Sequence, residues 1–261
     1  GGEVLGRDRL FLDAQGPGVL GGAWTPAQAQ TIFDKVQELC VDPQPAGARC
    51  LWPPMRGPLL EPGSDTNGGT WAAIDAWTAW AWSKVNPAAA WRFFLKTTLA
   101  VRAGAYPEVW YGVWSGPDAY NAHYHPRPGE TFNLNATPMT LFPVMNMNRH
   151  AGPLLAAIKQ AGIGFDARGV LIAPRLPFDC FTLHLPLIGI AYLPGRHRGY
   201  YTPVCKGTFR FAVQPPAGLA RDTAQLTVNG KRAHFEWNDA GQICFSVTRA
   251  SLRRIVWEIT H

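Results

Sequence analysis

At Gly169 the hydrophobic pattern of this chain changes period, and neither helices alone nor strands alone can satisfy both sides of the change. Before it, apolar residues recur at spacings of three and four. Ala29, Ile32, Phe33, Val36 and Leu39 form such a stripe behind Thr25-Pro26, an N-cap with proline at the first helical position. After it the runs are short and alternating or continuously apolar: Val170 to Ile172, Phe181 to Leu185, Leu187 to Tyr192, Thr208 to Val213, Gln225 to Val228, Ile243 to Val247 and Ile255 to Ile259. Turn signals such as Asn229-Gly230 and Asp239-Ala240-Gly241 separate them. The expected organisation is a helical part over 1–168 and an antiparallel β-sandwich over 169–261.

Within the helical part, Leu10 to Gly22 predicts a helix stopped at Gly21-Gly22, and Pro26 to Cys40 an amphipathic partner. Val41 to Gly69 turns to Pro, Gly and small polar residues, which reads as a long structured loop of the kind that often carries function. Trp71 to Lys84 predicts an apolar helix, central and buried because Trp80 and Trp82 leave it little polar surface; Asn86-Pro87 opens its partner to about Val101. A second aromatic loop, Ala103 to Pro138, precedes a helix from Thr140 to Ala161 that Gly162 and Gly164 stop.

Composition removes several function classes. With 261 residues, 47% apolar and 12% aromatic, the chain can bury a core and is not disordered. No run reaches the roughly 18 apolar residues of a membrane span, and no signal peptide opens the chain. It begins Gly1-Gly2-Glu3 without methionine, so a piece of a longer protein is expected. The 24 basic and 18 acidic residues leave a net +6, but the cations are scattered, Arg196-His197-Arg198 and Arg253-Arg254 being the densest groups, so no nucleic-acid patch is expected. Five cysteines without a C-x-x-C pair read as thiols of a reducing, cytoplasmic compartment. His123-Tyr124-His125 sets two imidazoles on one side of an extended segment but lacks a third ligand, so no metal is expected, and the imidazoles are assigned to sugar hydroxyls or to solvent. No phosphate-loop glycine spacing occurs and Ser115 lacks a Gly-x-Ser-x-Gly frame, so neither a nucleotide cofactor nor a serine hydrolase is expected.

Eleven tryptophans are the compositional anomaly. Each offers a flat apolar face and one N–H, which suits either a Trp-rich core or the C–H face of a pyranose. Arg9-Leu10-Phe11-Leu12-Asp13-Ala14-Gln15, followed by Gly21-Gly22, resembles a segment of the cellobiose and chitobiose phosphorylases and their glycoside-hydrolase relatives. Gly169-Val170-Leu171-Ile172-Ala173-Pro174-Arg175-Leu176-Pro177 resembles their barrel-to-sandwich junction, with Ala173 where an Asp commonly stands. The resemblance implies an (α/α)₆ barrel, of which this chain would hold the second half, followed by the sandwich. It also implies that the family's general-acid Asp lies upstream of these residues. The phosphorylases' His-Arg-x-Glu-Pro-Tyr string is not kept around Ala100 to Pro107, and Met145 to Asn148 replaces their Thr-Gly pair, which favours hydrolysis or transfer over phosphorolysis.

Inverting glycosidases need a base that activates water, roughly 6.5–9.5 Å from the general acid. The resemblance places that base in the loop Trp110 to Asn121, where Asp118 follows Gly116-Pro117; a helix or turn cap is the alternative role, and Glu130 is second choice as carboxylate. Trp110, Trp114, Tyr120 and Asn121 are the expected sugar subsites, with Gln15, Asn67, Trp71, His123 and Glu130 as further substrate contacts; capping is the alternative for Asp65 and Asn67 before Trp71. The expected function is cleavage or transfer of glycosidic bonds in a β-glucan-like oligosaccharide, most simply inverting hydrolysis, the alternatives being phosphorolysis or a non-catalytic carbohydrate-binding or assembly module. The expected partners are the oligosaccharide and either the N-terminal half of the barrel or a second copy, with no nucleic acid and no membrane.

Overall fold

The structure, a computed structural model, describes residues 7–58, 60–64, 66–109, 119–131 and 147–261. It divides into two compact units, Gly1–Ile158 and Lys159–His261. The expected boundary after residue 168 falls ten residues later than this division.

In the first unit, β1 (Leu10–Phe11) leads directly into α1 (Leu12–Leu20), and α2 (Pro26–Val36) follows. Thr25 caps α2 as the sequence predicts: its hydroxyl accepts from the Gln28 N–H and Gln28 answers on the Thr25 N–H, a reciprocal box that fixes the helix start. A π-helical turn (Gln37–Val41) closes it. After β2 (Leu51–Trp52) and β3 (Thr70–Trp71) come α3 (Ala72–Ser83) and α4 (Pro87–Lys96), the latter capped by Asn86 on the Ala89 N–H at 3.0 Å. Thr98 begins a separate helix, α5 (Leu99–Ala105), so the single helix expected up to Val101 is two. β4 (Ala119–Tyr120) and α6 (Met147–Gln160) complete the helical part.

The core of this unit forms around α3, nine of whose twelve residues are buried, and which packs on both α1 and α4. Trp82 stacks on Phe33 of α2 at 5.1 Å and tilts against Phe93 of α4 at 5.6 Å. Burying three aromatic rings on one another removes several hundred Å² of apolar surface from water, the main stabilising contribution here.

The second unit begins with the hairpin of β5 (Ile163–Asp166) and β6 (Gly169–Ile172) and continues through β7 (Phe181–His184), β8 (Ile188–Leu193), β9 (Arg196–Tyr201), β10 (Gly207–Val213), β11 (Gln225–Val228), β12 (Lys231–Arg232), β13 (Glu236–Trp237), β14 (Ile243–Arg249) and β15 (Ile255–Thr260). A six-stranded sheet has the order β12-β11-β15-β9-β8-β7 and a five-stranded sheet the order β13-β14-β10-β6-β5. They pack face to face: Trp257 of the first meets Phe211 and Phe245 of the second at 5.1 and 6.1 Å. Asn229 and Gly230, both at positive φ, make the predicted tight turn between β11 and β12.

The expected fold needs correction. Among the described residues there are six α-helices and fifteen strands in four sheets, a mixed α and β protein and not an (α/α)₆ barrel. Short ribbons, β1 with β2 and β3 with β4, stand among the helices, and the remaining strands form the two larger sheets, so sheet carries much of the structure. The sandwich is present but not wholly antiparallel, because β10 runs parallel to β6 after the chain has crossed to the other sheet and back.

Candidate functional site

The two long loops of the first unit interlock. Thr70 pairs with Tyr120 and Trp71 with Ala119 across β3 and β4; beyond the ribbon, the Ala122 N–H donates to Gly63 O at 2.7 Å and the His123 N–H to Gln44 Oε1 at 2.9 Å. The Cys50 N–H donates to Gly69 O at 2.7 Å, and the Leu12 N–H to Cys50 O at 2.8 Å, which ties the first loop to the start of α1. Backbone groups that would otherwise need water are satisfied by the opposite loop, so both loops are built as structure.

At the centre of the interlock Arg49 is only 8% exposed. Its guanidinium lies 4.1 Å from the Trp52 ring and 5.0 Å from the Tyr124 ring, and the two rings meet edge to face at 5.8 Å. Both ring faces attract the cation. Burial lowers the Arg49 pKa from its usual value, and the Arg49 charge in turn offsets part of the rise that burial imposes on the Tyr124 phenol. Tyr124 itself remains 40% exposed, its ring resting on the backbone of Gly63 and Gly68. Tyr124 is thus held by Arg49, Trp52 and the glycine backbone while part of its surface meets solvent.

A second buried device holds the loops. His125 Nδ1 accepts from the Arg127 N–H at 2.9 Å, which places the ring proton on Nε2, 3.0 Å from Glu61 Oε1. Both ring nitrogens are thus engaged within the protein. Asp75, buried in the first turn of α3, accepts from the Ala48 N–H at 3.2 Å, and its Oδ2 borders Gly47 beside Tyr120 and Thr70.

The expected site residues fall into three groups. Asp118, Trp110 and Trp114 lie outside the described residues, as does Asp65. Asn67, Trp71, Tyr120, Asn121, His123 and Glu130 are brought together in the interlock. Asn67 accepts from the Met55 N–H and donates to the Met55 and Glu61 carbonyls; Asn121 donates to Arg127 O at 3.0 Å; Glu130 pairs with Arg127. Tyr120 is buried, Trp71 packs on the helical core, and the His123 side chain is exposed. His123 and His125 share one turn, closed by the His125 N–H on Ala122 O at 3.0 Å, and not a strand, so the alternation expected to align them does not apply. Gln15 turns back on its own helix, donating to Phe11 O at 2.8 Å. Arg102, at the segment compared with the phosphate string, is fully buried; it donates to Gly129 O at 2.7 Å and lies 5.1 Å from the Tyr120 ring.

No family model and no curated protein matches this sequence. Among solved structures, a GH127 beta-L-arabinofuranosidase from Geobacillus stearothermophilus T6 is similar over 96% of this chain and 40% of its own, with 10% identity and a TM-score of 0.34. A second structure, described as a glycoside hydrolase, is similar over 76% of this chain and 33% of its own, with 14% identity and a TM-score of 0.28. This chain therefore spans two fifths or less of the length of either.

Arg49, Trp52, Glu61 and Asp75 are the residues of the interlock that sequence reasoning passed over. A lone carboxylate in the apolar run Ala72-Ala73-Ile74-Asp75-Ala76 was the available signal for the last, since an acid on a buried helix face needs a partner. Nothing local marked the others. Among the described residues no three His, Cys, Asp or Glu side chains cluster closely enough to hold a metal ion, and no helix is long and apolar enough to cross a membrane.

Proposed function

We propose that this chain belongs to a carbohydrate-active enzyme that hydrolyses glycosidic bonds with inversion, and that the interlocked loops are its sugar-binding surface. The observation that carries the reading is the Arg49, Trp52, Tyr124 stack: an exposed aromatic flank fixed by a buried cation suits the C–H face of a pyranose, at little cost in side-chain entropy. Asp118 is bonded to Ala119, whose strand is paired with Trp71 in the same interlock. As general base it would take a proton from water as the oxygen attacks the anomeric carbon, while the leaving oxygen receives its proton from an acid outside this chain. A β-glucan-like oligosaccharide is the proposed substrate. Arg102, in the segment compared with the phosphate string, is engaged with Gly129 and Tyr120, which weighs against phosphorolysis.

The protein carrying this chain, incubated with cello-oligosaccharides, tests the reading. Asp118→Asn is expected to abolish release of reducing sugar while leaving affinity nearly intact; Tyr124→Ala is expected to weaken affinity about 3- to 10-fold in a tryptophan-fluorescence titration. Unchanged turnover removes Asp118 from the mechanism, and unchanged affinity removes the loops from substrate binding. A binding module without catalysis is the second reading, favoured by the engagement of Glu61 with His125 and of Glu130 with Arg127. Sugar affinity with no turnover by the full-length protein would establish it.

A further inference from the structure

The outer face of the six-stranded sheet holds a groove of about 550 Å³, within the range of small-ligand sites. Its shape follows from strand alternation. Ile188, Ile190 and Tyr192 of β8 point into the sandwich, so Gly189 and Ala191 face outward and leave a low floor. Tyr200 of the neighbouring strand lies flat in that depression: a Cβ on Gly189 would stand 2.2 Å from its Cε1. The Tyr200 hydroxyl donates to Leu185 O at 2.7 Å, and the His184 ring runs nearly parallel to the phenol, 6.1 Å away.

Charge is distributed unevenly along the groove. Glu258, the one acid lining it, is shared by Arg196 and Arg198. Arg254 has no carboxylate partner among the described residues; its guanidinium is held 4.1 Å from the Tyr200 ring, and its Nε donates to Thr202 Oγ1 at 3.3 Å. An arginine oriented in this way, with its terminal nitrogens left for a ligand, is prepared for a planar two-oxygen acceptor. The adjoining floor of Ala191 and Val256 is apolar, while Thr227 and Glu258 offer hydroxyl-reading groups.

We infer that this groove binds a carboxylated sugar residue, a uronate, with its carboxylate on Arg254, its ring over the Ala191 floor beside Tyr200 and its hydroxyls toward Glu258. A singly charged carboxylate tolerates Glu258 nearby and uses it as a hydroxyl acceptor; a dianionic phosphate is repelled by it. The site stands independently of the loop reading, because its lining belongs to the sandwich strands and none of it to the interlocked loops.

Titration of the full chain with methyl β-D-glucuronide, followed by backbone amide NMR, tests it, with methyl β-D-glucoside and inorganic phosphate as controls. The glucuronide is expected to shift amides of β8, β9 and β15, to bind at least about tenfold more tightly than the glucoside, and to weaken with added salt. Arg254→Gln is expected to remove that tenfold preference with the unfolding midpoint unchanged, and Ala191→Leu, which fills the floor, to abolish binding. Equal affinity for glucoside and glucuronide, phosphate binding as tight as the glucuronide, no glucuronide binding at all, or an unaltered Arg254→Gln each overturns the assignment.

Discussion

Gly199 of β9 pairs with Trp257 of β15, and the indole lies so close over the glycine that a Cβ there would stand 2.1 Å from Cζ2. Trp257 is at the same time the ring on which Phe211 and Phe245 of the opposite sheet rest, so the glycine sets the depth of the sandwich core. Gly199→Ala is expected to destabilise the second unit by about 1–3 kcal/mol, because the displaced indole must push against rings that cannot retreat. Urea unfolding measures it, and a midpoint equal to the parent's would show that the core absorbs a methyl group.

His197 is fully buried between Tyr192, stacked at 4.2 Å, and Trp257, and neither ring nitrogen finds a hydrogen-bond partner among the described residues. Burial lowers its pKa from 6.5 to about 3. The unfolded chain therefore takes up this proton near pH 6.5, while the native state resists it down to about pH 3. Its contribution to stability is complete above pH 6.5 and declines as pH falls toward 3, by at most about 1.4 kcal/mol per unit. Urea midpoints between pH 7 and pH 4 are expected to fall in the parent and to flatten in His197→Phe; parallel curves would assign the acid sensitivity elsewhere.

Arg102→Met keeps much of the side-chain volume but removes the donor to Gly129 O and the cation beside Tyr120. A loss of about 2–3 kcal/mol is expected, concentrated in the loop that Gly129 closes. Amide exchange over residues 121–130 reads it directly. Protection equal to that of the parent would mean that the buried guanidinium is dispensable to the loop.

Cys40 is buried, and desolvation pushes its thiol up to about 12 despite nearby Arg49. Cys180 and Cys205 are exposed. Iodoacetamide at pH 8 is expected to label Cys180 and Cys205 at least about a hundredfold faster than Cys40 and Cys50, which react only on unfolding. Peptide mass spectrometry against time checks the order, and early labelling of Cys40 would contradict its burial.

How legible these features were depended on their range. Thr25-Pro26 and Asn86-Pro87 announced their helices because the capping groups lie three residues apart. Strand β9 escaped notice because Arg196-His197-Arg198 reads as a basic cluster. In the sheet it is a period-two segment whose arginines face outward on Glu258 while the histidine between them is sealed in the core. Composition names the residues of such a triplet, but only the neighbouring strands decide which side is inside.

The interlock was less visible still. His125 finds Glu61 at a separation of 64 residues, and His123 finds Gln44 at 79. Asn67, expected to contact substrate or cap a helix, bridges Met55 and Glu61 in its own loop, an arrangement that requires the loop to be folded first.

The sequence alone determined the change from helical to strand periodicity, the helix starts, the Asn229-Gly230 turn and most strands of the sandwich. Each of these depends on groups within a few residues of one another, whose preferences act before distant segments meet. Tertiary structure decided that short ribbons stand among the helices, that β6 lies parallel to β10, and that Arg49 stands between Trp52 and Tyr124. Those outcomes are settled by burial and hydrogen bonding between segments far apart in the chain, where the entropy of closing the loop must be overcome by contacts that no local pattern encodes.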